Sequence, residues 1–263
     1  MQQAYRVLRI VAESQTIRIV LMLRPNELML KELYTACTDL KSEKSRGIKA
    51  VVLDFKSVTE THEPHNATVS PAIIDQACLA VRAVEAPVLA VVRGTASAEA
   101  CELIRAADLT LVAHDAVLLV RVMGDDNNDT LTGEQAHRLG YITWSAPANS
   151  LDSEMTRILD MLREKSAVAL RLAKDSTRLG ADLAVAPGLA VAPGLAVAPD
   201  LAVAPDLAVA PRFIEGEASD AAARLEALKK VNEFYLSHVM QTADAGEGLH
   251  AFLEKRKPRW KNK

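Results

Sequence analysis

Blocks of apolar and polar residues alternate along the first half of the chain, and they predict strands and helices in turn. Two N-terminal segments, YRVLRIVAE and TIRIVLML, predict a pair of strands, and the apolar runs IKAVVLDF, APVLAVV and LTLVA predict buried strands. The spacing of apolar residues predicts three helices in this part of the chain. The first begins after Asn26 as its N-cap, the second begins at Pro71 with Ser70 as its cap, and the third lies near residues 98–106. Apolar strands that alternate with helices are typical of a layered α/β fold with both sheet faces covered.

Residues 183–212 interrupt this pattern with five copies of a hexapeptide, LAVAP followed by Gly, Asp or Arg. Each copy contains a proline, which removes a backbone donor and stops a helix or a central strand. We interpret the segment as an insert in a surface loop, with a small solenoid or an extended packed arm as the alternatives. Helical periodicity resumes after it, so the sequence predicts a core over 1–182, the insert over 183–212 and a helical region over 213–263.

Composition and charge exclude several classes of protein. The net charge of −3 gives no reason to expect a nucleic acid or an anionic membrane as partner. Cys37, Cys78 and Cys101 are odd in number and irregularly spaced, which indicates buried thiols in a reducing cytoplasm and neither a disulfide framework nor a zinc site. The N-terminus lacks the apolar core of a signal peptide, and no apolar run has the length of a membrane span, so we expect a cytoplasmic protein.

Four segments occur in an informative order: LRPNELM near the N-terminus, APVLAVVRG followed by CEL, TGEQAHRLGYIT, and the tail EGLHAFLEKRKPRWKNK. Together they resemble the crotonase (enoyl-CoA hydratase/isomerase) superfamily. The resemblance implies a crotonase-like α/β spiral of ββα turns with a helical C-terminal region. It also implies an acyl-CoA thioester as substrate, with no further cofactor and no metal. The segment SVTETHEP and the C-terminal end are most similar to the branch that hydrates cyclic dienoyl-CoA thioesters.

The resemblance also implies site residues. Crotonases stabilise a thioester enolate with two backbone N–H groups, the oxyanion hole, and the matching donors here are those of Lys56 and Glu99. Glu102, in CEL, matches the glutamate that activates water. The position of the second, proton-donating glutamate holds Val122, which cannot transfer a proton. A Gly-rich loop and a helix that follow this position in the family are missing between MGDDNNDT and LTGEQAH.

The turn before CEL departs from the family, which usually has three glycines where this chain has Ala98, Glu99 and Ala100. A Glu99 carboxylate about 5 Å from a developing enolate would oppose it by roughly 3 kcal/mol at an effective dielectric near 20. Two hypotheses follow: an acyl-CoA hydratase that uses Glu102, and a crotonase-fold protein without chemistry that binds acyl-CoA or serves in an assembly. The structural alternative for Glu102 is an ion pair with Arg105, three residues further on.

The C-terminal region carries two further expectations. Lys255 and Lys257 in the basic tail are candidates for binding CoA phosphates, with a solvated helix end as the alternative. Family members form trimers and hexamers through this region, so we expect a homo-trimer or hexamer. The alternative is that the apolar stripe of the predicted helix packs on the chain's own core. The stripe comprises Leu225, Leu228, Val231 and Phe234.

Two polar clusters resemble metal sites without completing one. THEPHN contains His62 and His65, with Glu60 and Glu63 nearby, at a spacing that fits no complete site. GDDNNDT has a calcium-loop spacing but lacks the glycine at its sixth position and the glutamate at its twelfth, where Ala136 stands. The residues at that spacing are Asp125, Asn127 and Asp129. We therefore predict solvated loops and no metal.

Overall fold

A computed structural model describes residues 5–22, 24–40, 47–56, 69–121, 128–184 and 219–262. These residues form two compact units, Met1–Glu164 and Lys165–Lys263. The strands are β1 (Arg9–Glu13), β2 (Thr16–Met22), β3 (Ala50–Lys56), β4 (Val88–Val92), β5 (Leu109–Ala113), β6 (Val117–Arg121), β7 (Asn128–Thr132) and β8 (Trp144–Ala146). The helices are α1 (Glu27–Asp39), α2 (Pro71–Arg82), α3 (Ala98–Ala106), α4 (Gly133–Arg138), α5 (Leu151–Arg163), α6 (Ala167–Ala184), α7 (Ser219–Phe234) and α8 (Ala243–Leu253).

A six-stranded sheet in the order β1-β2-β3-β4-β5-β8 is the centre of the first unit. The antiparallel pair β1–β2 confirms the predicted strand pair, and every other neighbour in this sheet is parallel. All residues of β4 and β5, and all of β3 except Lys56, are buried. This burial confirms the expectation from their continuous apolar runs, because a parallel strand covered on both faces needs no polar side.

The predicted helix starts are observed, with one difference in capping. Asn26 caps α1, because its Oδ1 accepts a hydrogen bond of 2.8 Å from the backbone N–H of Met29. Helix α2 begins at Pro71, but the side chain of Ser70 makes no capping hydrogen bond. Proline suits this position because its missing N–H would have no partner inside the helix. Ser70 therefore acts through its backbone, whose C=O accepts from the N–H groups of Ile73 and Ile74.

Helix α5 ties together the two ends of the parallel strands. At its start, Asp152 Oδ1 accepts a bond of 2.7 Å from Nη2 of Arg93, the residue after β4. At its end, Arg163 donates to Ser14 O at 3.2 Å and to Thr16 Oγ1 at 3.3 Å, beside the start of β2. The backbone oxygen of Arg163 accepts a 2.6 Å bond from Lys49 Nζ, next to the start of β3. The helix thus spans the sheet from one end of the strands to the other.

A separate hairpin, β6–β7, follows the sheet strand β5. Its strands pair from Val117 opposite Thr132 to Arg121 opposite Asn128, and helix α4 begins directly after it. Thr132 and Gln135 form a capping box there: the Thr132 hydroxyl accepts from the Gln135 N–H, and Gln135 Oε1 accepts from the Thr132 N–H. A short hairpin therefore stands between β5 and α4, where the family resemblance implied a Gly-rich loop and a helix.

The second unit consists of α6, α7, a π-helical turn over Tyr235–Val239, and α8. Buried Asp244 organises it, accepting hydrogen bonds from Ser166 Oγ and from the backbone N–H groups of Lys261 and Asn262. Helices α6 and α8 and the end of the described chain are thereby joined through one carboxylate. The predicted insert over 183–212 lies outside the described residues except for its first two, which end α6, so the predicted domain boundaries stay predictions.

Candidate active site

The turn between β4 and α3, residues 93–97, is held by hydrogen bonds at its C-terminal end. Ser97 caps α3, its Oγ accepting from the Ala100 N–H at 3.3 Å. Ala96 pairs with β6, donating to Val117 O at 2.8 Å and accepting from the Leu119 N–H at 3.2 Å. The sequence predicted the turn and the helix, and the hairpin contact adds a support that the sequence did not indicate.

Glu99 lies in the first turn of α3 and is half-buried. An acidic residue at this place interacts favourably with the positive end of the helix dipole. Burial is the main cause that raises the pKa of Cys101 to about 12, and the charges of Glu102 and Glu99 add to it. Glu99 and Glu102 therefore both lie close enough to the Cys101 thiol to affect its pKa.

Glu102 lies one turn further along α3, with 33% of its side chain exposed. Its Oε1 is 3.4 Å from Nη1 of Arg105, so the ion pair expected from the structural alternative is present. Arg105 is 59% exposed, and a pair of this length in solvent contributes little to stability. Glu102 is therefore accessible to water, which a candidate general base for hydration requires.

The thiols near Glu102 are not candidates for nucleophilic chemistry. Cys78 of α2 is half-buried, and burial followed by the charge of Glu102 raises its pKa to about 11. The higher pKa of Cys101 excludes a thiolate there as well, because only a small fraction of such groups ionises near neutral pH. The candidates for proton transfer on α3 are therefore its two carboxylates, Glu99 and Glu102.

Lys56 is the exposed last residue of β3. Phe55 pairs with Val92, so β3 and β4 end side by side, and the structure brings Lys56 to the edge of the sheet where the β4–α3 turn begins. Residues 57–68, which follow Lys56, lie outside the described residues and include the histidine cluster of THEPHN. The assignments of Lys56 and Glu99 as oxyanion donors stay predictions.

Val122 lies outside the described residues, as do Asp125 and Asn127, while Asp129 belongs to β7. In the described part of the chain, no group of three His, Cys, Asp or Glu residues is arranged to hold a metal ion.

Lys255 and Lys257 are exposed and lie just after α8, in the second unit. Lys255 has a φ of 52°, the left-handed conformation that often ends a helix. Between them, Arg256 donates to both carboxylate oxygens of Glu247, at 2.5 and 3.1 Å. These hydrogen bonds hold the pKa of Glu247 at about 2, so this ion pair fixes the backbone that carries the two lysines.

Sequence reasoning missed a buried ionic network on β2, β3 and the β4–α3 turn. Asp54, whose side chain is fully buried in β3, accepts hydrogen bonds from Arg18 of β2 and from Arg93. Arg93 also bonds Asp152 of α5. The sequence did contain a signal for this network, namely one charged residue inside each of two apolar strands: Arg18 in TIRIVLM and Asp54 in AVVLDFK.

Two surface pockets are formed by described residues of the first unit. A groove between α1 and α2 is bordered by Leu30, Lys31, Tyr34, Thr35, Ile73 and Gln76. A much smaller depression is bordered by Leu40, Ile48, Val51, Val84, Glu85 and Ala86. Neither contains Glu99 or Glu102, so the candidate site is defined by the turn and helix α3 and not by these pockets.

Solved structures share this architecture over nearly the whole chain. An enoyl-CoA hydratase from Bacillus anthracis has a TM-score of 0.66 at 17% identity and covers 98% of this chain and 100% of its own. An enoyl-CoA hydratase/isomerase from Mycobacterium paratuberculosis has a TM-score of 0.67 at 16% identity, and the match covers 99% of this chain and 100% of that protein. An enoyl-CoA hydratase from Mycobacterium smegmatis has a TM-score of 0.64 at 20% identity, and the match covers 97% of this chain and 99% of that protein.

No protein-family model matches the chain. At identities of 16 to 20%, the structural likeness establishes the fold. The chain has the crotonase fold, a mixed α/β architecture with a parallel-rich sheet, which confirms what the sequence resemblance implied about architecture. In the part of the chain that the structure describes, no helix is both long and apolar enough to cross a membrane.

Proposed function

We propose that this protein binds acyl-CoA thioesters and hydrates an enoyl-CoA at the β4–α3 turn. The observation that supports this proposal is the place of Glu102: half-exposed, one turn into a helix whose start is capped by Ser97, in a chain with the crotonase fold. The solved structures described above as enoyl-CoA hydratases favour a thioester as the substrate class.

In the proposed reaction, Glu102 takes a proton from water and the water oxygen bonds to the β-carbon of the enoyl group. The electron pair of the carbon–carbon double bond moves to the α-carbon and the thioester oxygen, giving an enolate. Backbone N–H groups of Lys56 and Glu99 stabilise that negative charge. Because Val122 holds the place of the second acid, the protonated Glu102 returns its proton to the α-carbon, which completes the addition of one water molecule.

This arrangement predicts a slow hydratase that depends on Glu102. A positioned acid or base contributes about 10²–10⁴-fold, so Glu102→Gln should lower kcat by that factor, and Val122→Glu should raise it by supplying the second acid. The assay follows loss of the enoyl group of crotonyl-CoA and of a cyclic dienoyl-CoA. Hydration of the cyclic substrate alone would support the dienoyl branch.

Glu154→Gln is the matched control, because Glu154 also pairs with an arginine three residues on, Arg157, at 2.8 Å on the solvent-facing side of α5. It should leave the rate unchanged. A wild-type rate equal to that of an ordinary hydratase and unaffected by Glu102→Gln would contradict the proposed role of Glu102.

A second candidate function is acyl-CoA binding without chemistry. The pairing of Glu102 with Arg105 and the hairpin between β5 and α4 favour it, since neither feature needs catalysis. Calorimetry with a non-hydratable saturated acyl-CoA, combined with the hydration assay, distinguishes the two. Binding without turnover by the wild type and by Val122→Glu would favour this candidate, and turnover that depends on Glu102 would exclude it.

A further inference from the structure

Asp54 is a buried carboxylate with two arginine partners. Arg18 donates from Nε at 3.0 Å and from Nη2 at 2.5 Å to Oδ2, and Arg93 donates from Nε at 3.3 Å to Oδ1. The side chain of Asp54 has no exposure, whereas the two arginine side chains are 23% and 24% exposed. A buried charge needs such partners, because its desolvation is otherwise costly.

The two arginines differ in what else they hold. Arg18 lies within β2 and pairs in the sheet with Val52. Arg93 directly follows β4, and Nη2 of the same guanidinium bonds Asp152 at the start of α5. A planar guanidinium bound to two carboxylates on different elements has little freedom to rotate. Arg93 therefore fixes the direction in which the chain leaves β4 and enters the turn.

We propose that Arg93 is a positioning residue for the β4–α3 turn, and that the Asp54–Arg93–Asp152 network aligns the backbone N–H of Glu99 and the carboxylate of Glu102. The catalytic part of this inference rests on the proposed function. The alignment itself does not, because it concerns the backbone of residues 94–101. Misplacing a reacting group by about 1 Å can cost on the order of 10²-fold in rate, so a fixed turn has a direct catalytic effect.

The matched variants are Arg93→Met and Arg18→Met. Each removes one of the two guanidinium partners of Asp54, but only the first is connected to the turn. Hydrogen exchange is measured at the amides that anchor the turn and the start of α3, which are those of Ala96, Ala100 and Cys101. Arg18→Met removes the shorter ion pair of buried Asp54, so it should destabilise the sheet generally and accelerate exchange at the turn no more than at the amides of β2 and β3. Arg93→Met should accelerate exchange at the turn about tenfold or more beyond any change at the amides of β2 and β3.

Kinetics provide the second readout. Arg93→Met should lower kcat for enoyl-CoA hydration about 10- to 100-fold with KM within about twofold, whereas Arg18→Met should lower kcat by less. Unchanged exchange in Arg93→Met, or an acceleration at the turn no greater than in Arg18→Met, would overturn the proposal. If the wild type has no hydratase activity, the proposed function fails, and the exchange experiment still decides whether Arg93 positions the turn.

If Arg93→Met does not fold, Asp152→Asn replaces it. Asp152 is 73% exposed, so this change removes one partner of Arg93 without burying an unpaired charge. It should accelerate exchange of the same amides to a smaller extent. Asp160→Asn, which alters the exposed partner of Arg163 on the same helix, should have no effect there. No difference between these two variants would likewise overturn the proposal.

Discussion

Single carboxylates hold distant segments of backbone at several places in this protein. Glu32 of α1 accepts three hydrogen bonds from consecutive backbone N–H groups, those of Arg6, Val7 and Leu8, at 2.8 to 3.2 Å. Burial by itself would raise the pKa of Glu32, but these three bonds outweigh it and lower the pKa below its usual value. The segment before β1 is thus attached to α1 through one ionised side chain.

The lowered pKa of Glu32 makes its contribution to stability dependent on pH. Because the folded-state pKa lies below the unfolded value of about 4.3, the contribution is fully present above that value and is lost as pH falls through the folded pKa. Glu32→Gln should therefore be less stable than wild type near pH 7, and the difference should shrink as pH is lowered from about 6 to about 3. Urea unfolding across this range measures it. A difference that stays constant with pH would exclude an ionised Glu32 as the cause.

At the scale of elements, helix α4 approaches the end of β5 so closely that the contact requires a glycine. A Cβ added to Gly133 would lie 2.0 Å from the backbone oxygen of Ala113. The backbones are further joined by a 2.8 Å bond from the Gly133 N–H to Ala116 O. The hairpin and α4 can return this closely to the sheet only because position 133 has no side chain.

Gly133→Ala should therefore destabilise the protein by about 1–3 kcal/mol or more, the usual cost of overpacking, because the clash is with backbone and no side chain can move aside. Gly246→Ala is the matched control: it lies in α8, and nothing stands within 4 Å of its added Cβ. Alanine is the better helix former, so this control should be neutral or more stable by about 0.5–1 kcal/mol. Thermal unfolding compares the two, and equal stability would mean that α4 does not approach β5 so closely.

At the scale of the whole molecule, exposed apolar residues of the second unit bear on assembly. Leu225 and Leu228 of α7 are 56% and 66% exposed, and Phe252 of α8 is 77% exposed. Val231 and Phe234, the other members of the predicted stripe, are half-buried. Among the residues that the structure describes, half of this stripe is thus exposed, which leaves it available for contacts with other copies.

We expect a trimer or a hexamer in solution, as the family resemblance implied. Leu228→Glu should shift the mass toward the monomer, because a charge placed in an apolar interface is costly, while the fold is kept since position 228 is exposed in the single chain. Light scattering at micromolar concentration measures the mass, and circular dichroism checks the fold. Lys229→Glu, a change at an exposed polar position on the same helix, is the control. A wild-type monomer would contradict the expectation.

The sequence by itself determined several elements of this protein and the class of its fold. Continuous apolar runs specified β3, β4 and β5 as buried strands, and Asn26 and Pro71 marked the starts of α1 and α2. These signals are local, since periodicity and capping depend on residues a few positions apart. The motif around CEL located the turn and Glu102, whereas the functional roles of Lys56, Glu99, Glu102, Lys255 and Lys257 stay predictions.

Tertiary structure decided which residues far apart in the chain meet. The network of Arg18, Asp54, Arg93 and Asp152 depends on strand order, on the parallel register of β2 with β3, and on the path of α5. The support of the turn by the hairpin, through Ala96, likewise joins elements that no local pattern connects. A buried charge in an apolar strand shows that a partner is required, but only the packed sheet selects which one, because that choice depends on distances in space and not along the chain.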